Sequence, residues 1–384
     1  MNVASILGQL QGWIGVVIVF GVVIFIHEFG HFIVAKKSGI KVEQFSFGFG
    51  PEIFGFVWGE TRYTVNWIPL GGYVRMSGEF PEEYEGPVLE GENKEEEKKE
   101  PKDRSRDFMA KPWYMRIFVA LAGPAMNYVL AVVVFFLIFA VWGEQIQINK
   151  TEVGEVIAGM PAEKAGLQMG DVILRIDGEL VSDFGNIAEK IGIRGNKETL
   201  FLIQRGESEL TLSITPQQNE EEKRGLIGIR PAQPVTEDRK ISLPQSFISS
   251  VRQCWLFSTL TLDHLGKKIM AGEKPDVAGP IGIGQIIFRA VRTGFREFLF
   301  LIGLISVALG LFNLFPIPVL DGGHIAYYLV EGIRGKPVSV KVMGRANMVG
   351  FALLIMLLVF ATYNDFTRKL PSPQKVTKSE TLKK

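Results

Sequence analysis

A single cysteine, Cys254, in 384 residues excludes an intramolecular disulfide and any metal cluster built on cysteine. Histidine is almost as scarce, with four, at positions 27, 31, 264 and 324. Net charge is missing too. The 42 Lys and Arg against 41 Asp and Glu leave +1, so the chain lacks the basic excess of an electrostatic nucleic-acid binder and no nucleic-acid partner is expected. The charges that do exist avoid four stretches altogether. None falls in 1–26, 117–143, 298–320 or 346–364, and each run meets or approaches the roughly 20 apolar residues that cross a bilayer. With 47% hydrophobic residues and 28 Phe, the chain reads as a polytopic α-helical membrane protein with four transmembrane helices and lipid as its surroundings. The first run has no basic residue before it and no small-residue cleavage site after it, so it reads as a retained span, not a signal peptide.

Orientation follows from Lys and Arg near the span ends. Lys36, Lys37 and Lys41 follow the first run, and Arg104, Arg106, Lys111 and Arg116 precede the second. Both facts place the intervening loop in the cytoplasm. The N-terminus, the segment 144–296 and the tail then lie outside the cytoplasm, although the tail is itself basic. The expected protein is multi-pass in the inner (cytoplasmic) membrane.

The implied organisation is a first span over 1–36, a membrane-associated β-hairpin region over 37–80 and a charged cytoplasmic loop over 81–112. A second span covers 113–143, an α/β domain 144–232 and an amphipathic membrane-surface segment 233–296. A third span over 297–332, a short loop over 333–345, a fourth span over 346–364 and a tail over 365–384 complete it. The hairpin reading rests on partial period-2 alternation of Phe, Val, Tyr and Gly within 40–76. The stretch 81–107, with "EGENKEEEKKEPKDRSRD", reads as a solvated, low-complexity insert. In the α/β domain the pattern is a short strand, a helix from Pro161, a strand ending at Asp177-Gly178, a helix near 185–194 and the strands "TLFLIQR" and "ELTLSIT".

The chemistry is concentrated in "FIHEFGHFIV", residues 25–34. His27 and His31 are four apart and project from one helix face, close enough to share a metal ion. Two imidazoles from one turn with a glutamate between them form the HExxH arrangement of zinc hydrolases, in which Glu28 handles the proton of the attacking water. Ionisable groups at membrane depth cost about 2.5–3.5 kcal/mol each on insertion scales, so their placement here points to a function. A catalytic zinc needs a third protein ligand. Asp321, in "NLFPIPVLDGGH", is the first charge after the third run, and the orientation above delivers it to the cytoplasmic side, as it does His27. His324 is the rival ligand. Pro316 and Pro318 disrupt the helix ahead of Asp321, Gly322 and Gly323 permit close backbone approach, and Asn313 is placed to hydrogen-bond an extended substrate or a neighbouring helix.

HEFGH in the first run, "LAGPAMNYVLA" at 121–131 and "NLFPIPVLDGG" at 313–323 resemble the site-2 protease family of intramembrane zinc metalloproteases, in its bacterial RseP/RasP-type branch. The resemblance implies one Zn²⁺ held by His27, His31 and Asp321, with Glu28 as the catalytic glutamate and Asn313 in substrate handling. It implies cleavage within transmembrane segments of partner proteins, anti-sigma factors or signal-peptide remnants, with the active site toward the cytoplasmic side. It makes 40–76 a region that presents an edge strand to the substrate. The domain at 144–232 resembles a single circularly permuted PDZ domain outside the cytoplasm, with Gly225, Leu226, Ile227, Gly228 and Ile229 as its peptide-binding loop and strand. The alternative from another class is a non-catalytic membrane PDZ scaffold with a structural metal site. A transporter fits less well, because no inverted repeat accompanies the four spans.

Overall fold

The computed structural model describes residues 3–79, 104–219, 224–233, 235–272 and 278–367. Most of the acidic insert (81–107) and most of the tail therefore lie outside the described residues. The chain forms two compact units, one made of Met1–Ala140 with Ser242–Lys384 and the other of Val141–Ile241.

The first unit opens with α1 (Val3–Lys37), β1 (Val42–Trp58), β2 (Thr61–Met76) and α2 (Trp113–Val141). The second holds β3 (Glu144–Gln147), β4 (Val153–Val156), α3 (Pro161–Lys164), β5 (Val172–Ile176), β6 (Glu179–Leu180) and α4 (Phe184–Gly192). It continues with β7 (Thr199–Arg205), β8 (Ser208–Ile214), β9 (Gln217–Asn219), β10 (Arg224–Leu226), β11 (Ile229–Pro231) and β12 (Thr236–Arg239). The first unit then resumes with α5 (Leu243–Met270), α6 (Pro280–Thr293), α7 (Phe295–Asn313), α8 (Asp321–Arg334) and α9 (Val340–Thr367).

Four of these helices, α1, α2, α7 and α9, are long and apolar enough to cross a membrane. The first two pack closely, since a methyl group on Gly30 would sit 2.3 Å from the Ala122 carbonyl oxygen. Small residues allow such backbone approach where lipid supplies no hydrophobic drive between helices. At about 100° per residue, Phe25, Phe29 and Phe32 share one side of α1, and their rings pack on Phe45, Phe47 and Tyr63 of the hairpin. His27 and His31 point to the opposite side, and Glu28 falls between the two faces.

β1 and β2 are each bent, so two strands make a sheet four segments wide. Residues 44–47 run beside both 72–75 and 62–65, while 54–58 fold back on 61–65. Gly48 takes the bend in β1: its φ is +88°, and a Cβ there would lie 2.7 Å from the Ile68 carbonyl oxygen. The hairpin end is fastened to the end of α1, where Glu60 pairs with Lys36 and Arg106 at 2.7 Å each. The Arg106 and Lys36 hydrogen bonds hold the Glu60 carboxyl down at about 2.

Two expectations change in detail. The stretch 297–332 is not one helix: α7 ends at Asn313, an irregular turn carries Pro316 and Pro318, and α8 restarts at Asp321. Each proline removes a backbone donor and pushes the residue before it out of the α region. The segment 233–296 contains two helices, and α5 has reversed polarity. Its buried residues are Ser246, Ser249, Ser250, Cys254 and Ser258, while Phe247, Trp255 and Leu260 are exposed. Small hydroxyls facing the bundle, here with Ser258 bonded to Tyr128 at 2.9 Å, and apolar groups facing outward suit a helix covered by acyl chains. Asp365 of α9 caps α6, accepting from the backbone N–H of Gly279 and Gly282 at 2.9 Å each.

In the second unit, a four-stranded antiparallel sheet of order β6-β5-β7-β8 packs Ile173, Ile176, Phe201 and Ile203 against Ala162, Ile187 and Ile191 of the helices. β3 pairs with β12, joining the two ends of the unit. Gly225 and Leu226 lie on β10, and Ile229 begins β11, which pairs with β4. The carbonyls of Ile227 and Gly228 accept from Ala162 and Ile157 N–H. Asp171, 1% exposed, meets Arg205 through two bonds of 2.7 Å. Burial opposes its ionisation, but Arg205 and the Gln168 N–H outweigh that and hold its carboxyl below the ordinary value. Its stabilising contribution is therefore complete above the unfolded value of about 4 and fades as pH falls through the lower folded one. Arg205→Met should destabilise the second unit, because it leaves the Asp171 carboxylate without its partner. Amide exchange of β5 and β7 in the full chain measures this, and unchanged protection would refute it.

Candidate metal centre

The HExxH residues meet α2 and the start of α8. His27 Nε2 and His31 Nε2 are 3.2 Å apart. His27 Nε2 lies 3.2 Å from Asp321 Oδ2, and His31 Nε2 lies 3.6 Å from Asp321 Oδ1. One potential ligand atom from each of the three falls within 4.8 Å of the others. Residues 31 and 321 are distant in sequence, so this convergence is a product of the fold. His324 lines the same cavity but packs edge-on against Tyr327 and at a tilt against Tyr328, and it is not in the three-residue cluster.

Asp321 is held in place by an unusual turn. Val319, two residues before it, has φ +84°, a conformation that costs a non-glycine residue about 1–3 kcal/mol and tends to persist at functional sites. The backbone then folds under the helix start. A Cβ on Gly322 would lie 2.4 Å from the Leu314 carbonyl oxygen, and one on Gly323 2.3 Å from that of Ile317. Farther along α8, Glu331 pairs with the buried Arg116 of α2, whose guanidinium lies 4.7 Å from the Tyr328 ring centroid. This ties the Asp321 helix to the helix that backs the histidines.

A cavity of about 660 Å³ opens at the cluster and is lined by Glu28, Asn313 and the β2 residues Val74 and Met76. Glu79 also lines it, and burial, outweighing the Met76 N–H, raises its carboxyl to about 7. Three contributors come from α2, and none is an obvious site residue in the sequence. The Val119 carbonyl lies 2.8 Å from His31 Nδ1, Asn127 Nδ2 lies 3.1 Å from His27 Nδ1, and Gly123 leaves room for both rings. A methyl on Gly123 would be 2.3 Å from His31 Nε2 and 2.7 Å from His27 Cε1. The only hint in the sequence is the "AGPAMN" run, whose glycine and asparagine interrupt an otherwise apolar span.

The sequence profile of peptidase family M50 matches residues 15–357. The chain belongs to that family. Zinc metalloprotease RasP of Geobacillus kaustophilus is 31% identical to it over 422 aligned positions, covering 94% of this chain and 98% of its own. RasP of Oceanobacillus iheyensis is 29% identical, covering 92% and 98%, and a Rhizobium meliloti relative is 34% identical, covering 89% and 92%. Among solved structures, the PDZ domain of the SdrC-like protein of Listeria monocytogenes aligns with 22% of this chain and 90% of its own, at 20% identity and a TM-score of 0.20.

This M50 peptidase is thus a zinc metalloprotease, multi-pass in the membrane, with membrane proteins as its substrates. The chemistry of the cluster fits zinc: two imidazole nitrogens and a carboxylate oxygen form a recurrent donor set for a catalytic ion. Asp321 Oδ2 is buried without a hydrogen-bond partner among the described residues, although His27 Nε2 lies close by. The Nδ1 proton of His31 is committed to the Val119 carbonyl, which leaves its Nε2 lone pair facing the same point. Electron pairs gathered in a buried spot call for a cation between them.

Proposed function

We propose that the chain hydrolyses peptide bonds inside transmembrane segments, with His27, His31 and Asp321 as the zinc ligands and Glu28 as the general base. The observation that carries this reading is the convergence of the three donor atoms beside Glu28 at the floor of one cavity. Zinc there would supply Lewis acidity, polarising the scissile carbonyl and making water more acidic. Glu28 takes the proton of the water that adds to the carbonyl carbon. It returns that proton to the amine nitrogen as the C–N bond breaks.

The substrate would be held extended. Residues 72–76 of β2 pair with β1 on one side and place Val74 and Met76 on the cavity wall, so an unwound substrate can add as a further strand. Asn313, which lines the same cavity, would hold its backbone. A transmembrane helix must unwind to expose a peptide bond, and strand addition replaces the hydrogen bonds it gives up. The preferred partners are anti-sigma factors or signal-peptide remnants. The second unit, read as a single PDZ domain from its sheet order and its two helices, would lie outside the cytoplasm with both termini and exclude partners whose outer domains are intact.

In liposomes, the wild type should cleave a model transmembrane segment whose outer domain has been removed and leave the untrimmed form alone. His27→Ala, His31→Ala and Asp321→Ala should each lose both zinc and cleavage. Full zinc in Asp321→Ala would remove that residue from the ligand set and promote His324. Equal cleavage of trimmed and untrimmed substrate would dismiss the size filter.

A further inference from the structure

We infer that Asn127 is the positioning residue that sets the tautomer of His27, so that its Nε2 is free to bind the metal. This rests on the ligand set proposed above. A histidine that ligates through Nε2 carries its proton on Nδ1, and the acceptor on that proton fixes the ring's tautomer and orientation. For His31 the acceptor is the Val119 carbonyl. For His27, the hydrogen-bond partner at Nδ1 among the described residues is the Asn127 amide, 3.1 Å away.

That amide is fully buried, and its Oδ1 has no hydrogen-bond partner among the described residues. A half-turn about the Cβ–Cγ bond exchanges the amide oxygen and nitrogen at nearly the same positions. It brings Oδ1 onto His27 Nδ1–H, giving that oxygen the bond it lacks and turning the Nε2 lone pair toward His31 and Asp321. The backbone that carries the amide is anchored. The Asn127 main-chain carbonyl accepts from Ser306 Oγ of α7 at 2.8 Å, and Ser306 is itself fully buried. Two histidines on one turn of α1 thus take their orientation from two acceptors eight residues apart on α2, one a main-chain carbonyl and one a side-chain amide.

The test is zinc affinity of the full chain in detergent, by competition with a chelator, for wild type, Asn127→Leu, Asn127→Asp and His27→Ala. Leucine keeps the bulk of the side chain and has no acceptor, and it should weaken zinc binding about 10–100-fold. Aspartate has nearly the shape of asparagine but only acceptors, and it should bind zinc more tightly than the wild type. A purely packing role predicts no such gain, because the two side chains fill the same space. Unchanged affinity in Asn127→Leu, or no gain in Asn127→Asp, overturns the assignment. If the leucine variant does not fold, the aspartate variant decides alone. His27→Ala separates the two levels: normal zinc binding there would refute the ligand set itself, whereas its loss beside an unaffected Asn127→Leu would refute only the role of Asn127.

Discussion

Glu28→Gln should bind one zinc per chain and cleave nothing measurable. Glutamine matches glutamate in size and keeps one acceptor oxygen, so packing between α1 and the hairpin is undisturbed. What it cannot do is accept a proton. Removing a positioned general base slows such reactions about 10²–10⁴-fold, or about 2.7–5.4 kcal/mol of barrier at 1.36 kcal/mol per decade. Glu28 lines the cavity with the metal cluster, and a methyl on Gly72 of β2 would come within 3.5 Å of its Cγ. Its carboxyl is thus set between the floor of the site and the strand proposed to receive the substrate. The measurement pairs zinc content with cleavage of a transmembrane peptide. A variant that still cleaves would exclude Glu28 as the base, and one that loses zinc in proportion to activity would give it a structural part instead.

Gly123→Ala should be nearly as damaging without touching any proposed ligand. The added methyl would fall 2.3 Å from His31 Nε2 and 2.7 Å from His27 Cε1, well inside van der Waals contact. Neither ring can simply retreat, because each is held at Nδ1 by α2 itself. Either the imidazoles swing off the cluster or α2 shifts away from α1, which would open the close Gly30–Ala122 packing and stretch the hydrogen bonds to both rings. Displacements near 1 Å cost on the order of 10²-fold in rate, so activity should fall at least that far, with weaker zinc binding. Helical content should stay near that of the wild type, since alanine favours helix over glycine by about 1 kcal/mol. Wild-type zinc affinity in this variant would mean that the rings have freedom the packing denies them.

Much of this was legible in the sequence because the signals were local. Charge-free runs give spans by length alone, and the four-residue spacing of His27 and His31 fixes a shared face without tertiary information. The strand–helix order of the second unit likewise follows from alternation, Pro161 and Asp-Gly turns. What stayed hidden was long-range or steric. Nothing near Asn127 says that its amide meets a ring 100 residues earlier in the chain, and Gly123 resembles any small residue of a membrane helix until the rings beside it are placed. The strained Val319 is illegible for a different reason, since a β-branched residue argues against a left-handed backbone. The reversed polarity of α5 was missed because a pattern of apolar and polar residues gives two faces without saying which one meets the bundle.

The serine-lined face of α5 also conceals the one thiol of the chain. Cys254 is 3% exposed, so a reagent in water does not reach it. The native protein therefore needs no cysteine removed before accessibility mapping. A cysteine introduced at Trp58, on the exposed hairpin tip, or at Glu207, in the β7–β8 turn, would be the sole reactive sulfur when an impermeant maleimide is added to whole cells. Which of the two reacts before the cells are opened would report directly on the sidedness of the chain.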